Sequence, residues 1–237
     1  MVDNERLEAV PTKVIRVGVM GDSITANGGY VRMLNELCPG YRFFNHGIGG
    51  NQTTQMRRRF KKNIFSRGYE EVIIFGGVND IASNRSLETI QKALLGMYEA
   101  AKEKGIRVIA VTVSPWGSYQ ERNLKRFSKD VQEKTLMLNS WIRGLKDKGI
   151  VDAVADTYHR LVAQDGRSMK EEFRNFPKRK GDGLHPGPEG QKEIGRVVFE
   201  AAYKIRIQQM KAVTAQPATR PLTESVPPKK PATFLVK

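Results

Sequence analysis

Three residues able to do acyl-transfer chemistry stand where strands of this chain should end. The apolar run from Val14 to Met20 stops at Gly21-Asp22-Ser23, and a helical pattern begins at Tyr30. A short β-branched run closed by glycine reads as a buried strand, which delivers the Ser23 hydroxyl to its carboxyl end. Open α/β sheets bind their ligands at that edge. A serine hydroxyl is a poor nucleophile unless a base lies within hydrogen-bond reach. Of the three histidines, His185 suits best, because Asp182 in Gly181-Asp182-Gly183-Leu184-His185-Pro186 could accept its other ring N–H. His46 directly follows an apolar run and is expected to be a half-buried packing or hydrogen-bonding residue. His159 is expected on a helix surface.

Acyl transfer also needs donors for the oxyanion of its tetrahedral intermediate. The candidates are the backbone N–H of Ser23, the backbone N–H of Gly50 in Gly47-Ile48-Gly49-Gly50-Asn51, and the side-chain amide of Asn79 in Gly77-Val78-Asn79-Asp80. Asp22 and Trp116 are expected to touch the substrate, with Tyr119 and the loop Arg167–Lys180 lining its approach. Asp182 and His185 would offer a metal two ligands but no third at a usable spacing, so no metal or other cofactor is expected. The Gly47–Gly50 stretch lacks the lysine-bearing spacing of a phosphate loop. A bare helix-capping role for Ser23 is the alternative. It leaves the glycines, Asn79 and the Asp-x-x-His at the same edge unexplained.

Further strands are read at Arg42–Asn45, Val72–Phe75, Val108–Val113 and Val151–Ala155, with helical patterns between them. In 52–65, Met56, Phe60 and Ile64 recur every fourth residue. This leaves Arg57, Arg58, Arg59, Lys61 and Lys62 mostly on the outer, solvated face. Ser86 should cap a helix that ends at Gly105, and another should run from Leu124 to Gly149. The last helix should start near Pro188 and bury Ile194, Val197, Ala201 and Ile205. Alternating strands and helices imply an α/β chain with a mainly parallel sheet and helices on both faces.

The 237 residues suffice for one domain, here placed at 14–210, behind a lead-in of residues 1–13. Residues 211–237 are basic and Pro-rich, a composition that predicts disorder. The single cysteine, Cys38, excludes an internal disulfide. No apolar run approaches the length of a membrane span, and the acidic start lacks a signal-peptide core, so a cytoplasmic location is expected. The net charge is +15, of which the last 27 residues supply +4, from Lys211, Arg220, Lys229, Lys230 and Lys237 against Glu224. A body left at +11 is suited to a polyanionic partner, though a basic soluble surface is the plainer explanation.

Taken together, the four blocks resemble those of the SGNH (GDSL) hydrolase family. Gly21-Asp22-Ser23, Gly47-Ile48-Gly49-Gly50-Asn51, Gly77-Val78-Asn79-Asp80 and Asp182-Gly183-Leu184-His185-Pro186 occur in the family's order and span nearly the whole body. The resemblance implies a flavodoxin-like, three-layer doubly wound sandwich with a five-stranded parallel sheet. It also implies a serine esterase without metal or organic cofactor. The expected substrate is a small-molecule or carbohydrate ester, such as an acetylated sugar. Lysophospholipase, thioesterase or acyltransferase activity on the same apparatus, and a non-enzymatic polyanion-binding module, are the alternatives.

Overall fold

The computed structural model describes residues 13–116, 129–175 and 183–214. Its strands are β1 (Ile15–Gly21), β2 (Tyr41–Gly47), β3 (Glu71–Phe75), β4 (Arg107–Val111) and β5 (Ala153–Ala155). They form one parallel sheet in the order β2-β1-β3-β4-β5. Every residue of β3 is buried, as is β4 from Val108 onward, which is why both read as unbroken apolar runs rather than alternating ones. The chain steps from β1 to β2 in one direction and from β2 back past β1 to β3 in the other. Right-handed crossovers taken in opposite directions place their helices on opposite faces of the sheet.

One layer holds α2 (Gly29–Leu37), packed on α8 (Pro188–Ala202). The other holds α3 (Thr53–Asn63), α5 (Leu87–Glu103) and α6 (Lys129–Arg143). The short helices α1 (Ser23–Asn27), α4 (Val78–Ala82) and α7 (Thr157–Leu161) cap the carboxyl ends of β1, β3 and β5. Ser86 caps α5 as expected, its hydroxyl accepting the Thr89 N–H at 3.2 Å, and Pro188 is the first residue of α8.

The final helical pattern departs from expectation. It breaks at Tyr203 and resumes as α9 (Lys204–Thr214), which runs past Met210. The break lets the Tyr203 ring pack edge-on against Tyr41 and Phe43, with centroids 5.0 and 5.2 Å away. The register shift that follows turns Ile205 outward, where it is 64 % exposed, and buries Ile207 instead. Ala201 is exposed and Val198 takes the buried place assigned to it. Buried Glu71 fastens α9 at the opposite end of the sheet from Ser23, pairing with Arg206 at 3.1 Å and Arg107 at 3.0 Å.

Candidate active site

β1 lies between β2 and β3, with Gly21 in register with Gly47 on one side and Phe75 on the other. The three segments that leave these strands therefore emerge side by side. Ser23 is the first residue of α1, two residues past the end of β1. The turn from strand to helix is tight, and a Cβ on Gly21 would overlap the Thr25 hydroxyl. Only glycine fits, which explains the residue that heads the first block. Asp22 caps α1 by accepting the Ile24 N–H at 3.0 Å.

The Ser23 hydroxyl lies 2.8 Å from Nε2 of His185. The histidine reaches it from the far end of the sequence because its segment is pinned on two sides. Residues 173–175 run beside it, with Asn175 N–H donating to the His185 carbonyl (3.2 Å) and Gly187 N–H to that of Phe173 (2.8 Å). On the other side α8 is tied to the serine helix through Gln191. That buried side chain donates to the Ile24 carbonyl at 3.2 Å and accepts the Tyr30 N–H at 3.1 Å. Asp182 lies outside the described residues, as do Tyr119 and positions 176–180 of the expected approach loop.

Gly50 has φ +74, a conformation that favours glycine, and a Cβ there would meet nothing within 4 Å. Gly50 itself is exposed, as is Ile48 two residues before it. Asn79 is the second residue of α4 and only partly buried. It donates to the Asn51 carbonyl at 3.0 Å, which fixes the amide plane and leaves its second N–H to point elsewhere. Its neighbour Asp80 is fully buried and accepts both the N–H and the hydroxyl of Thr53, each at 2.8 Å. Burial raises the Asp80 pKa while the two Thr53 bonds oppose the shift.

The two expected substrate contacts, Asp22 and Trp116, are both buried, while His46 and His159 sit as expected. Asp22, expected to meet substrate, is 2 % exposed and turned into its own helix cap. Burial pushes its pKa up to about 6, and the Ile24 bond and the His185 charge act against the rise. Trp116 is likewise buried, its indole N–H donating to Thr135 Oγ1 at 3.2 Å, so it belongs to the core against α6 and not to an open pocket wall. His46 is half-buried, and its Nε2 lies 2.8 Å from the Tyr69 hydroxyl. Burial, with the Arg67 and Arg59 charges, lowers its pKa to about 4. His159 is on the surface with Nδ1 2.6 Å from Asp156.

One residue of the basic run is partly buried rather than on the solvated face. Arg59 turns inward and donates from all three nitrogens, to Gly21 and His46 carbonyls and to Asn51 Oδ1. The signal was its position three residues after Met56 and beside Phe60, on the flank of the apolar stripe. Gln191 and Thr53 carried no such sign. Among the described residues no three His, Cys, Asp or Glu side chains gather as a metal would require, and no helix is long and apolar enough to cross a membrane.

A family model, the GDSL-like lipase/acylhydrolase family, matches residues 19–193. The chain belongs to that family, whose members hydrolyse ester bonds. Among solved structures it is similar to a GDSL-like lipase from Bacteroides thetaiotaomicron VPI-5482, with 25 % identity over 82 % of this chain and 88 % of the other, and a TM-score of 0.63. A lipase/acylhydrolase from Enterococcus faecalis shares the fold at 19 % identity, covering 84 % and 97 % of the two chains with a TM-score of 0.61. An acetyl xylan esterase shares it at 20 % identity over 78 % and 98 %, also with a TM-score of 0.61. No curated protein sequence matches the chain.

Proposed function

We propose that the chain is a serine esterase in which Ser23 is the nucleophile, His185 the base and Asp182 the carboxylate that orients it. The 2.8 Å contact between Ser23 Oγ and His185 Nε2 carries this reading. His185 takes the hydroxyl proton as Oγ attacks the ester carbonyl carbon. The carbonyl oxygen becomes an oxyanion, received by the N–H groups of Ser23 and Gly50 and by Nδ2 of Asn79. Collapse breaks the bond to the alcohol, which leaves with the proton held by His185. A water then repeats the sequence on the acyl-serine and releases the acid.

The proposed substrate is a small acyl ester, such as acetate, on a carbohydrate. A cavity of about 350 Å³ adjoins the His185 turn at Pro186 and Gly187, lined by Asn27, Arg32, Glu36, Asn175, Gln191 and Lys192. Such a lining matches the hydroxyls of a sugar alcohol better than an acyl chain, which needs an apolar wall. The acetyl xylan esterase that shares the fold acts on a substrate of this kind. The test is a panel of esters of rising acyl length beside acetylated sugars, run with wild type and Ser23→Ala. Turnover should favour acetyl esters and vanish in the variant. A preference for long acyl chains or thioesters would replace the substrate assignment, and activity in Ser23→Ala would remove the mechanism.

A second reading adds a polyanion contact. On α3, Arg57, Arg58, Lys61 and Lys62 are exposed, and none forms an ion pair among the described residues. On α8, by contrast, Arg196 and Lys192 are paired with Glu193 and Glu189. Unpaired cations on one helix face suit phosphate or carboxylate polymers through counterion release. Salt-dependent binding to DNA or anionic vesicles, compared with a chain ending at Thr214, tests the face and the tail separately.

A further inference from the structure

We infer that Arg59 is a positioning residue for ester hydrolysis, a single guanidinium that sets the oxyanion donors against the nucleophile; this rests on the roles proposed above. The side chain comes from the middle of α3, yet its three bonds all reach the carboxyl edge of the sheet. Nη2 donates to the Gly21 carbonyl at 2.8 Å, at the end of β1 and two residues before Ser23. Nη1 donates to the His46 carbonyl at 2.7 Å, at the end of β2 where the glycine loop departs. Nε donates to Asn51 Oδ1 at 2.9 Å.

Asn51 is the residue through which the other donors are held. Its N–H closes the glycine loop on the Ile48 carbonyl at 3.2 Å, its own carbonyl receives Asn79, and it directly follows Gly50. Gly50 itself is exposed, and no atom lies within 4 Å of where a Cβ on it would stand. The orientation of its peptide therefore depends on how Asn51 is fixed. The only side-chain donor recorded on Asn51 Oδ1 among the described residues is Arg59.

The chemistry suits arginine specifically. Its planar fork can meet two strand-end carbonyls with Nη1 and Nη2 while Nε serves a third acceptor, and lysine's single ammonium cannot span all three. Hydrogen bonds from a charged donor are about twice as strong as neutral ones, so the link is stiff. A stiff frame matters because donors stabilise a developing oxyanion only if they need no reorganisation as it forms. The residue acts through Asn51 and the strand ends, not by touching substrate.

The experiment compares wild type with Arg59→Met, which keeps an apolar stem, and Arg59→Lys, on a short acyl p-nitrophenyl ester. The readouts are kcat and KM, inhibition by an alkylboronic acid that mimics the tetrahedral intermediate, and the melting temperature. Both variants should lose about ten- to a hundredfold in kcat with KM changed less than threefold, below the full loss of an oxyanion donor. Boronate affinity should fall in step with kcat/KM, and guanidinium ion at millimolar levels should restore part of the activity of Arg59→Met. A lower melting temperature with kcat and boronate affinity intact would overturn the inference, as would a loss confined to KM. Ser23→Ala separates the two layers. If it keeps activity the site reading has failed; if it is inactive while the Arg59 variants behave as wild type, only the positioning role has.

Discussion

Asp80 holds both the backbone N–H and the hydroxyl of Thr53, and so binds the segment after β3 to the first residue of α3. The two donors lie just past the second block and the acceptor in the third, 27 residues apart. Replacing Asp80 with alanine leaves two buried donors without a partner, which costs about 1–3 kcal/mol for each group so stranded. Chemical denaturation should show a loss of that order for Asp80→Ala. Thr53→Val, which removes the hydroxyl donor but keeps the N–H bond, should cost less. Equal losses in the two variants would show that the carboxylate does not hold both groups.

His185→Ala should reduce kcat by about the 10⁴–10⁶ expected for a nucleophile-and-base unit. The Ser23→Ala/His185→Ala double variant should be no worse than either single one, because the two act on one proton. His46→Ala and His159→Ala should stay near wild-type kcat. Steady-state kinetics on one ester decides it, and additive losses in the double variant would mean that the pair does not work as a unit.

Asn79→Ala should lower kcat by about 10²–10³ with little change in KM, the loss expected for one oxyanion donor. The same substitution also frees the Asn51 carbonyl. Asn79→Asp, similar in shape but without the donor, should be at least as slow. An increase in KM at constant kcat would assign Asn79 to ground-state binding.

His46 and Asp22 pull stability in opposite directions with pH. His46 is held near pKa 4 against 6.5 unfolded, so below pH 6.5 the unfolded chain takes a proton that the folded chain refuses. Its contribution is present above pH 6.5 and is lost as pH falls toward 4. Asp22 is raised from 3.8 to about 6, so the folded chain keeps a proton that the unfolded one releases. Its contribution is present below pH 3.8 and is lost as pH rises through 6. His46→Asn should therefore flatten the acid side of a melting-temperature profile, and Asp22→Asn should raise stability near pH 7 relative to pH 4. Profiles parallel to wild type would contradict both shifts.

Gln191→Leu should preserve most of the packing volume of α8 but break the link to the serine helix. It leaves the Ile24 carbonyl and the Tyr30 N–H unpaired in a buried setting, a loss of about 1–3 kcal/mol each at most. A drop in kcat should accompany it, because α8 begins three residues after His185. Thermal melts and kinetics on the same preparation test this, and full activity in a destabilised variant would show that Gln191 serves only the fold.

What the sequence made legible follows from which physical signals are local. Strand positions came from β-branched runs, and β1 to β4 lie within a residue or two of where Val14, Arg42, Val72 and Val108 placed them. Glycine punctuation and the loop blocks were local as well, so the chain showed which residues share the sheet edge. Signals that depend on a distant partner were not readable. Arg59 looked like its neighbours Arg58 and Lys61 because charge alone predicts solvation, while its acceptors are carbonyls of other strands. The place of Trp116 after β4 suggests a substrate contact, but the hydroxyl that receives its N–H is on α6. The break at Tyr203 was hidden because nothing in the helical period announces a ring that must reach Tyr41 and Phe43.

The segments bearing Ser23, Gly50 and Asn79 all leave the sheet within the first 82 residues, while His185 arrives more than a hundred residues later on the run into α8. A chain still emerging from the ribosome thus owns its proposed serine and oxyanion donors long before it owns a base. Synthesis proceeds from the amino end, and domains fold in that order. If His185 is the base, a nascent chain that ends before it should not hydrolyse esters, by the order of its parts alone. A fragment cut anywhere before His185 should share that silence. Adding back the missing carboxyl-terminal piece in trans would then be the switch that turns hydrolysis on.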